Sequence, residues 1–349
     1  MILVTGASGQ IGRDLVVALQ RSHGSDKVLS SGRHLPDTAE LSPYIVIDVM
    51  NQNQLKSVVN AYAVDTIYHL AGVLSAKGEQ QPESCWQINI EGLKNVLDIA
   101  SRNNIKVFCP SSIAVFGPNT PKFGTPQTTI EDPVTMYGIT KATGELLCQY
   151  YAQRFGVDVR SIRFPGIISH LAAPGGGTTD YAVDIFHAAL KDGHYTSFLA
   201  PHTRLPMMYM PDAVRAIEEL MGADADRITV CTGYNLSAVS FSVAELVAEL
   251  QKYLPDFTCD YAPDYRQAIA DSWPTDIDDT QARKDWSWQH HYDLSAMVKD
   301  MLCHLKRRQF KEVSSSCLHT LPTNRRLIKH FSKHSVIFNN LDCTSLSAS

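Results

Sequence analysis

Through the first half of the chain, short runs of β-branched and other apolar residues alternate with stretches whose apolar positions recur every three to four residues. The runs at 2–5, 27–30, 44–47, 66–69, 106–109 and 157–163 predict buried strands. Between them, Ile11, Leu15 and Leu19 fall on one helical stripe. Leu93, Val96, Leu97 and Ala100 fall on another, and Pro82 suits that helix's first turn, where a missing N–H costs nothing. Strands alternating with helices predict an α/β fold, a doubly wound parallel sheet with crossover helices.

Beyond residue 165 the regularity fades. Pro174-Gly175-Gly176-Gly177 opens a helix expected at 180–191, and further helices are expected at 211–221, 242–253 and 293–306. The organisation predicted is a nucleotide-binding domain over 1–165, with elements of its sheet continuing into later segments, and a smaller, mainly substrate-binding lobe over 166–310. The stretch 311–349 has no glycine, eight serines and five basic against two acidic residues, without sustained periodicity, and is expected to be a poorly ordered tail.

Composition narrows the function classes. The 349 residues are 44% hydrophobic and 19% charged, and 31 basic against 36 acidic residues leave a net charge of −5. This gives no electrostatic case for nucleic acid or an anionic membrane, so small molecules or protein subunits are the expected partners. The eight cysteines are scattered without metal-ligand spacing, so neither a metal site nor a disulfide framework is expected, and reduced thiols are. No apolar run is long enough to span a bilayer, and the first strand opens at Ile2, so cytoplasm is the expected compartment, or the mitochondrial matrix if a leader has been removed.

The turn after the first strand reads Thr5-Gly6-Ala7-Ser8-Gly9-Gln10-Ile11-Gly12. Glycines at this spacing between a strand and an amphipathic helix allow close approach of a pyrophosphate to a helix N-terminus, the signature of a Rossmann-type dinucleotide site. Asp48, in Val46-Ile47-Asp48-Val49, is a candidate acceptor for the adenine amino group or, equally simply, a strand-end cap. His69-Leu70-Ala71-Gly72 ends the fourth strand where cofactors lie, with His69 expected to be packed rather than functional. The second strand lacks the usual terminal acidic residue and reads Ser30-Ser31-Gly32-Arg33; Arg33 is suited to a 2′-phosphate, which leaves NADP open beside NAD.

Tyr137 and Lys141 stand four residues apart, on one helical face, with Ser112 upstream at the end of the fifth strand. Oxidation of an alcohol needs a base for the hydroxyl proton. A phenol with pKa near ~10 is too weak until a neighbouring ammonium favours its ionised form. Ser112 would hydrogen-bond the substrate oxygen, and the Asn89 amide would fix nearby backbone.

These motifs resemble the extended short-chain dehydrogenase/reductase family, which includes nucleotide-sugar epimerases and dehydratases. The resemblance implies nucleotide contact at Gly6, Gly9, Gly12 and Asp48, proton transfer by Tyr137, ribose binding by Lys141 and substrate positioning by Ser112. Gln10, Ile11, Val49, Leu70, Ala71, Gly72, Asn89 and Pro165 complete the candidate cofactor contacts.

Residues 1–305 resemble more narrowly the short-chain L-threonine 3-dehydrogenases. The likeness rests on Leu74-Ser75-Ala76, the segment from Pro110 to Gly117, Arg163-Phe164-Pro165-Gly166, the segment from Pro174 to Ala182, and Asp271-Ser272-Trp273-Pro274 followed by Asp278-Asp279. It implies NAD as cofactor, a homodimer, and oxidation of L-threonine to 2-amino-3-oxobutyrate. For the zwitterion, Ser75, Thr178, Thr179 and the Gly177 backbone would donate to the carboxylate, Asp180 would accept from the ammonium, and Trp273 would close on the methyl group. Read without the resemblance, Thr178-Thr179-Asp180 is a helix N-cap and Trp273 a core residue. A nucleotide-sugar epimerase or dehydratase of the same family, and a non-catalytic redox sensor on the same fold, are the alternatives. Pro165, where sugar-nucleotide enzymes usually have asparagine, argues against the first, and the complete Ser112, Tyr137 and Lys141 set argues against the second.

Overall fold

A computed structural model describes residues 1–36, 38–171, 177–231 and 233–318, the last ten of these by backbone alone. The predicted segment 174–176 and the tail 319–349 lie outside the described residues. The first strands are β1 (Ile2–Thr5), β2 (Val28–Gly32), β3 (Tyr44–Val46), β4 (Thr66–His69), β5 (Lys106–Phe108), β6 (Ser111–Ser112) and β7 (Val159–Phe164). Those that follow are β8 (Gly166–Ile168), β9 (His194–Ser197), β10 (Arg204–Tyr209), β11 (Gly233–Asn235), β12 (Val239–Ser242) and β13 (Thr258–Tyr261). The central sheet is parallel, in the order β3-β2-β1-β4-β5-β7-β11, with β6 paired to β7. Its direction of winding reverses between β1 and β4, which opens a crevice at their carboxyl ends.

The helices of the first half are α1 (Gln10–His23), α2 (Gln52–Ala61), α3 (Ser75–Gln80), α4 (Pro82–Trp86), α5 (Gly92–Asn103) and α6 (Met136–Phe155). In the second half they are α7 (Tyr181–Lys191), α8 (Met210–Gly222), α9 (Val243–Gln251), α10 (Arg266–Ser272), α11 (Thr280–Trp286) and α12 (Leu294–Leu318). The apolar stripes cover the sheet from both sides. Leu15, Val16 and Leu19 of α1 meet Ala213, Ile217 and Leu220 of α8 on one face. Leu55 and Val59 of α2 meet Leu93, Val96 and Leu97 of α5 on the other. Burial of each such side chain contributes about 1.5–3 kcal/mol, so the stripes that defined the helices also lock them to the sheet.

Four sequence expectations need correction. Pro82 opens α4 rather than α5, and one wide five-residue turn, Gln87–Glu91, links the two into a continuous rod. Ser112 does not end β5 but belongs to the separate short strand β6. The final helix continues to Leu318, past the expected 306 and into the stretch taken for tail. Once nucleated, a helix gains a hydrogen bond for each added residue, and no glycine or proline interrupts 307–318. Cys303 is disulfide-bonded, against the expectation of reduced thiols, because pairing follows the approach of two Cα atoms and not sequence spacing.

After residue 165 the chain divides its elements. β11 rejoins the central sheet, while β12, β10 and β8 form a three-stranded sheet and β13 pairs with β9. Packed around these, Tyr181, Phe186, Leu246, Trp273, Met301 and Leu302 belong to a second core. That core supports the wall facing the ends of β1, β4 and β6. Among the described residues, no helix is long and apolar enough to cross a membrane.

Candidate functional site

The glycine turn forms the floor of a cleft of about 910 Å³. Gly6 has φ +70°, and a Cβ there would stand 2.6 Å from Ala71 N and 2.7 Å from the Leu70 carbonyl carbon. A Cβ on Gly12 would stand 2.4 Å from Gly6 O, so a side chain at either position would push apart β1, α1 and the end of β4. Bare backbone therefore meets the cleft where α1 begins, with the positive end of the helix dipole turned to it. Gly9, Gln10, Asp48, Val49, Ala71 and Gly72 line the same cleft. These residues fit a dinucleotide, with the pyrophosphate against the α1 N-terminus.

Asp48 Oδ1 accepts from Met50 N–H at 3.0 Å, and its exposed side chain lines the cleft. Gly32 and Arg33 line the cleft as well. Sequence reasoning missed Tyr44, whose hydroxyl lies 3.3 Å from Ser8 Oγ and donates to His34 O, closing over Gly32. Burial holds the His69 imidazole down at about 3, and its Nδ1 sits 2.9 Å from Thr5 Oγ1, a packed neutral side chain as expected.

A second cleft of about 220 Å³ opens from the first and shares Gly6, Gly9, Gln10, Gly72, Val73 and Leu74 with it. Ser112, Tyr137 and Lys141 lie on its walls with Ile11, Gly12, Leu70 and Pro165. So do Ser75, Gly177, Thr178, Thr179, Asp180 and Trp273. The fold thus gathers residues separated by as many as 267 positions in the chain, Gly6 and Trp273, into one small chamber. Thr135 caps α6 by accepting from Gly138 N–H at 3.0 Å, which sets Tyr137 in the first turn and Lys141 one turn further on the same face. Lys141 Nζ donates to Pro110 O at 2.7 Å and lies 5.5 Å from the Tyr137 ring centroid. Ser112 Oγ accepts from Ala114 N–H at 3.2 Å, which leaves its own hydrogen for the chamber.

Asn89 sits in the wide turn between α4 and α5. Its amide accepts from Val73 N–H at 2.8 Å and donates to Val73 O and Thr140 Oγ1 at 3.1 and 3.0 Å. It pins the backbone after β4 to α6, the role its position suggested, and approaches the cofactor cleft only through that backbone. Wide turns of this kind are enriched at functional sites, where they re-aim one side chain.

On the substrate side, two of the candidate residues partner each other. The Gly177 N–H donates to Asp180 Oδ2 at 2.7 Å, so this donor and this acceptor satisfy each other. Asp180 is the N-cap residue of α7, yet its carboxylate turns back to Gly177 rather than into the helix. A carboxylate three residues past an N–H can close back on it in this way. Ser75 Oγ accepts from Thr178 N–H at 3.3 Å and lies 3.5 Å from Thr178 Oγ1, leaving hydroxyl hydrogens to serve an anion. Trp273 is buried in the second core and also lines the chamber.

Sequence reading missed two supports. Lys122 Nζ donates to the carbonyls of Asp271 and Trp273 at 3.1 and 3.2 Å, holding the segment that carries the indole. Behind β6, buried Arg163 bonds Glu145 bidentately at 2.9 and 2.7 Å and also meets Glu131, while Ser111 Oγ donates to Glu145. Burial, then the Glu145 charge, raises the Glu131 carboxyl to about 7. The spacing of Glu145 one turn beyond Lys141 was the available signal, but only pairing with β7 shows what it holds.

Comparison with known proteins agrees with this geometry. An uncharacterized epimerase/dehydratase of Staphylococcus haemolyticus is 47% identical over 312 residues, covering 88% of this chain and 98% of its own. The L-threonine dehydrogenase structure from Phytophthora infestans is 50% identical with a TM-score of 0.86, covering 88% of this chain and 99% of that one. The structure of L-threonine dehydrogenase from Clostridium difficile is 47% identical, with a TM-score of 0.86 and coverage of 88% and 98%. Residues 2–230 match the model of the NAD dependent epimerase/dehydratase family. The glycine cradle, the chamber beside it and these matches lead to one conclusion: the chain is an enzyme that belongs to the NAD-dependent epimerase/dehydratase family, the extended short-chain dehydrogenases, and its cofactor is NAD.

Proposed function

We propose that the enzyme oxidises the C3 hydroxyl of L-threonine to 2-amino-3-oxobutyrate. The observation that carries this reading is the chamber, in which Ser112, Tyr137 and Lys141 share about 220 Å³ with Ser75, Thr178, Thr179 and Trp273. That volume lies below the ~300–1,000 Å³ of sites for larger ligands and suits a small amino acid better than a nucleotide sugar. The likeness to L-threonine dehydrogenases at about half identity over most of the chain supports the same substrate.

NAD bound in the larger cleft supplies the hydride acceptor. Ser112 donates its free hydroxyl hydrogen to the substrate oxygen and holds it toward Tyr137, which takes the hydroxyl proton as general base. Lys141, anchored on Pro110 O, holds its ammonium 5.5 Å from the centre of the Tyr137 ring. Ser75 and Thr178 donate to the substrate carboxylate. Asp180 exchanges its Gly177 partner for the substrate ammonium, a stronger donor. Trp273 covers the methyl group and excludes water.

The test is NADH formation by the pure protein with L-threonine, alongside UDP-glucose as the alternative substrate. Net NADH with threonine is expected; sugar epimerisation without net NADH would replace this reading with the epimerase one. We further infer a homodimer, because the outward face of α6 leaves Ile139, Leu146 and Tyr150 exposed. Sedimentation equilibrium giving twice the chain mass in the parent, and one chain mass after Leu146→Glu, would support it; a monomeric parent would overturn it.

A further inference from the structure

Outside the chamber, a second cluster of chemistry-bearing groups lies where α12 crosses the segment after β8. His170, Asp300 and His304 each offer a ligand atom, and these atoms lie within 4.8 Å of one another. The His170 and His304 rings stack with centroids 4.0 Å apart, and His304 Nε2 is 3.7 Å from Asp300 Oδ2. Only the fold makes this cluster: His170 is about 130 positions from the other two, which sit one turn apart on α12.

The hydrogen bonds fix how the cluster is protonated. Tyr209 has one hydroxyl hydrogen and donates it to Asp300 Oδ2 at 2.7 Å. Its 3.1 Å contact with His170 Nδ1 must therefore have the ring as donor, which places the ring hydrogen on Nδ1 and the lone pair on Nε2. Among the described residues no hydrogen bond reaches Nε2 of His170 or either nitrogen of His304. Asp300 is mostly buried, yet among the described residues no lysine or arginine pairs with it. Asp14, also largely buried, adds a second carboxylate charge near Tyr209, while Arg308 is the cation that faces His170.

We propose that His170, Asp300 and His304 bind a divalent transition-metal ion of the zinc type, with Tyr209 as the group that orients two of the three ligands. Two imidazoles and a carboxylate are a ligand set such ions take, with a fourth position left open. A ligand imidazole whose other nitrogen is held by a hydrogen bond, and a ligand carboxylate that accepts one, are the usual supporting arrangement. Tetrahedral neighbours at Zn–N and Zn–O distances stand roughly 3.3 Å apart. The spread of up to 4.8 Å closes by rotation of His304, whose side chain is 41% exposed and unrestrained by hydrogen bonds. Because His170, Leu305 and Arg308 also line the cofactor cleft, a bound ion ties α12 to the wall of that cleft.

The experiment uses the full chain, stripped of metal and titrated with Co²⁺ and then Zn²⁺. One equivalent of Co²⁺ is expected to give the visible bands of a tetrahedral site without the near-ultraviolet band of a thiolate ligand. Zn²⁺ should bleach them and raise Tm by linkage. His170→Ala and His304→Ala should each weaken binding by at least ~10-fold, and Tyr209→Phe, which keeps every ligand, by ~10-fold or more. A metal-free Tm of His304→Ala equal to the parent's shows that the fold survives. Absence of saturable binding, a thiolate band, or unchanged affinity in both histidine variants would each overturn the proposal.

Discussion

Asp14 stands one turn into α1, beside Arg13 on the wall of the cofactor cleft, and its carboxyl is largely buried. Oδ2 has no hydrogen-bond partner among the described residues. Burial raises this group from 3.8 to about 6, with the Arg13 charge and the Ser169 hydroxyl offsetting only part of the effect. At ~1.36 kcal/mol for each tenfold change in proton affinity, that difference corresponds to about 3 kcal/mol. The sign follows from the folded state holding the proton more tightly than the unfolded chain. The favourable contribution is complete below pH 3.8 and is lost as pH rises through about 6. At pH 7 the ionised carboxylate therefore destabilises the fold, and Asp14→Asn, which keeps the shape without the charge, should recover roughly 2–3 kcal/mol. Urea unfolding of parent and variant from about pH 3, below the unfolded value of 3.8, up to pH 8 measures this directly. The two should converge at the acid end and separate with rising pH. A variant no more stable than the parent at pH 7, with the same pH slope, would refute the reasoning and mean that water or a partner already solvates the carboxylate.

Tyr137→Phe removes the proposed proton acceptor and keeps the ring, so kcat for threonine should fall by at least ~10²-fold while NAD binding and Tm stay near parental; kcat above a tenth of the parent's would end the assignment. Glu145→Ala leaves buried Arg163 without its bidentate partner and should cost about 3–5 kcal/mol in chemical denaturation, with Ser111 and hence Ser112 less well held; a loss under ~1 kcal/mol would show the pair to be solvated. Gly6→Ala places a methyl group against the Leu70–Ala71 backbone at positive φ, and NAD affinity by fluorescence titration should drop at least ~10-fold. With the parent, kcat/KM for NADP should fall far below that for NAD although Arg33 borders the cleft; comparable values would assign Arg33 to a 2′-phosphate.

The short-range periods of the sequence by themselves determined the class of fold, because a buried strand or an amphipathic helix is decided by residues two to four positions apart. The glycine turn was legible for the same reason: it is a local backbone requirement, met within seven residues between one strand and one helix. Tyr137 and Lys141 could be placed on a common face from their spacing alone. What only the tertiary structure decided involves contacts across long stretches of chain, where no local pattern constrains the partner. Gly177 and Asp180 are close in sequence, yet their mutual bond depends on the backbone path past Ser75. Lys122 reaches the carbonyls around Trp273 from about 150 residues away, and Arg163 meets Glu145 because β7 runs beside β6. His170 joins Asp300 and His304 through the docking of α12, and the disulfide at Cys303 depends equally on approach in space. In each case the sequence supplied a reactive or polar group with several possible partners, and the close packing of the returning chain selected one.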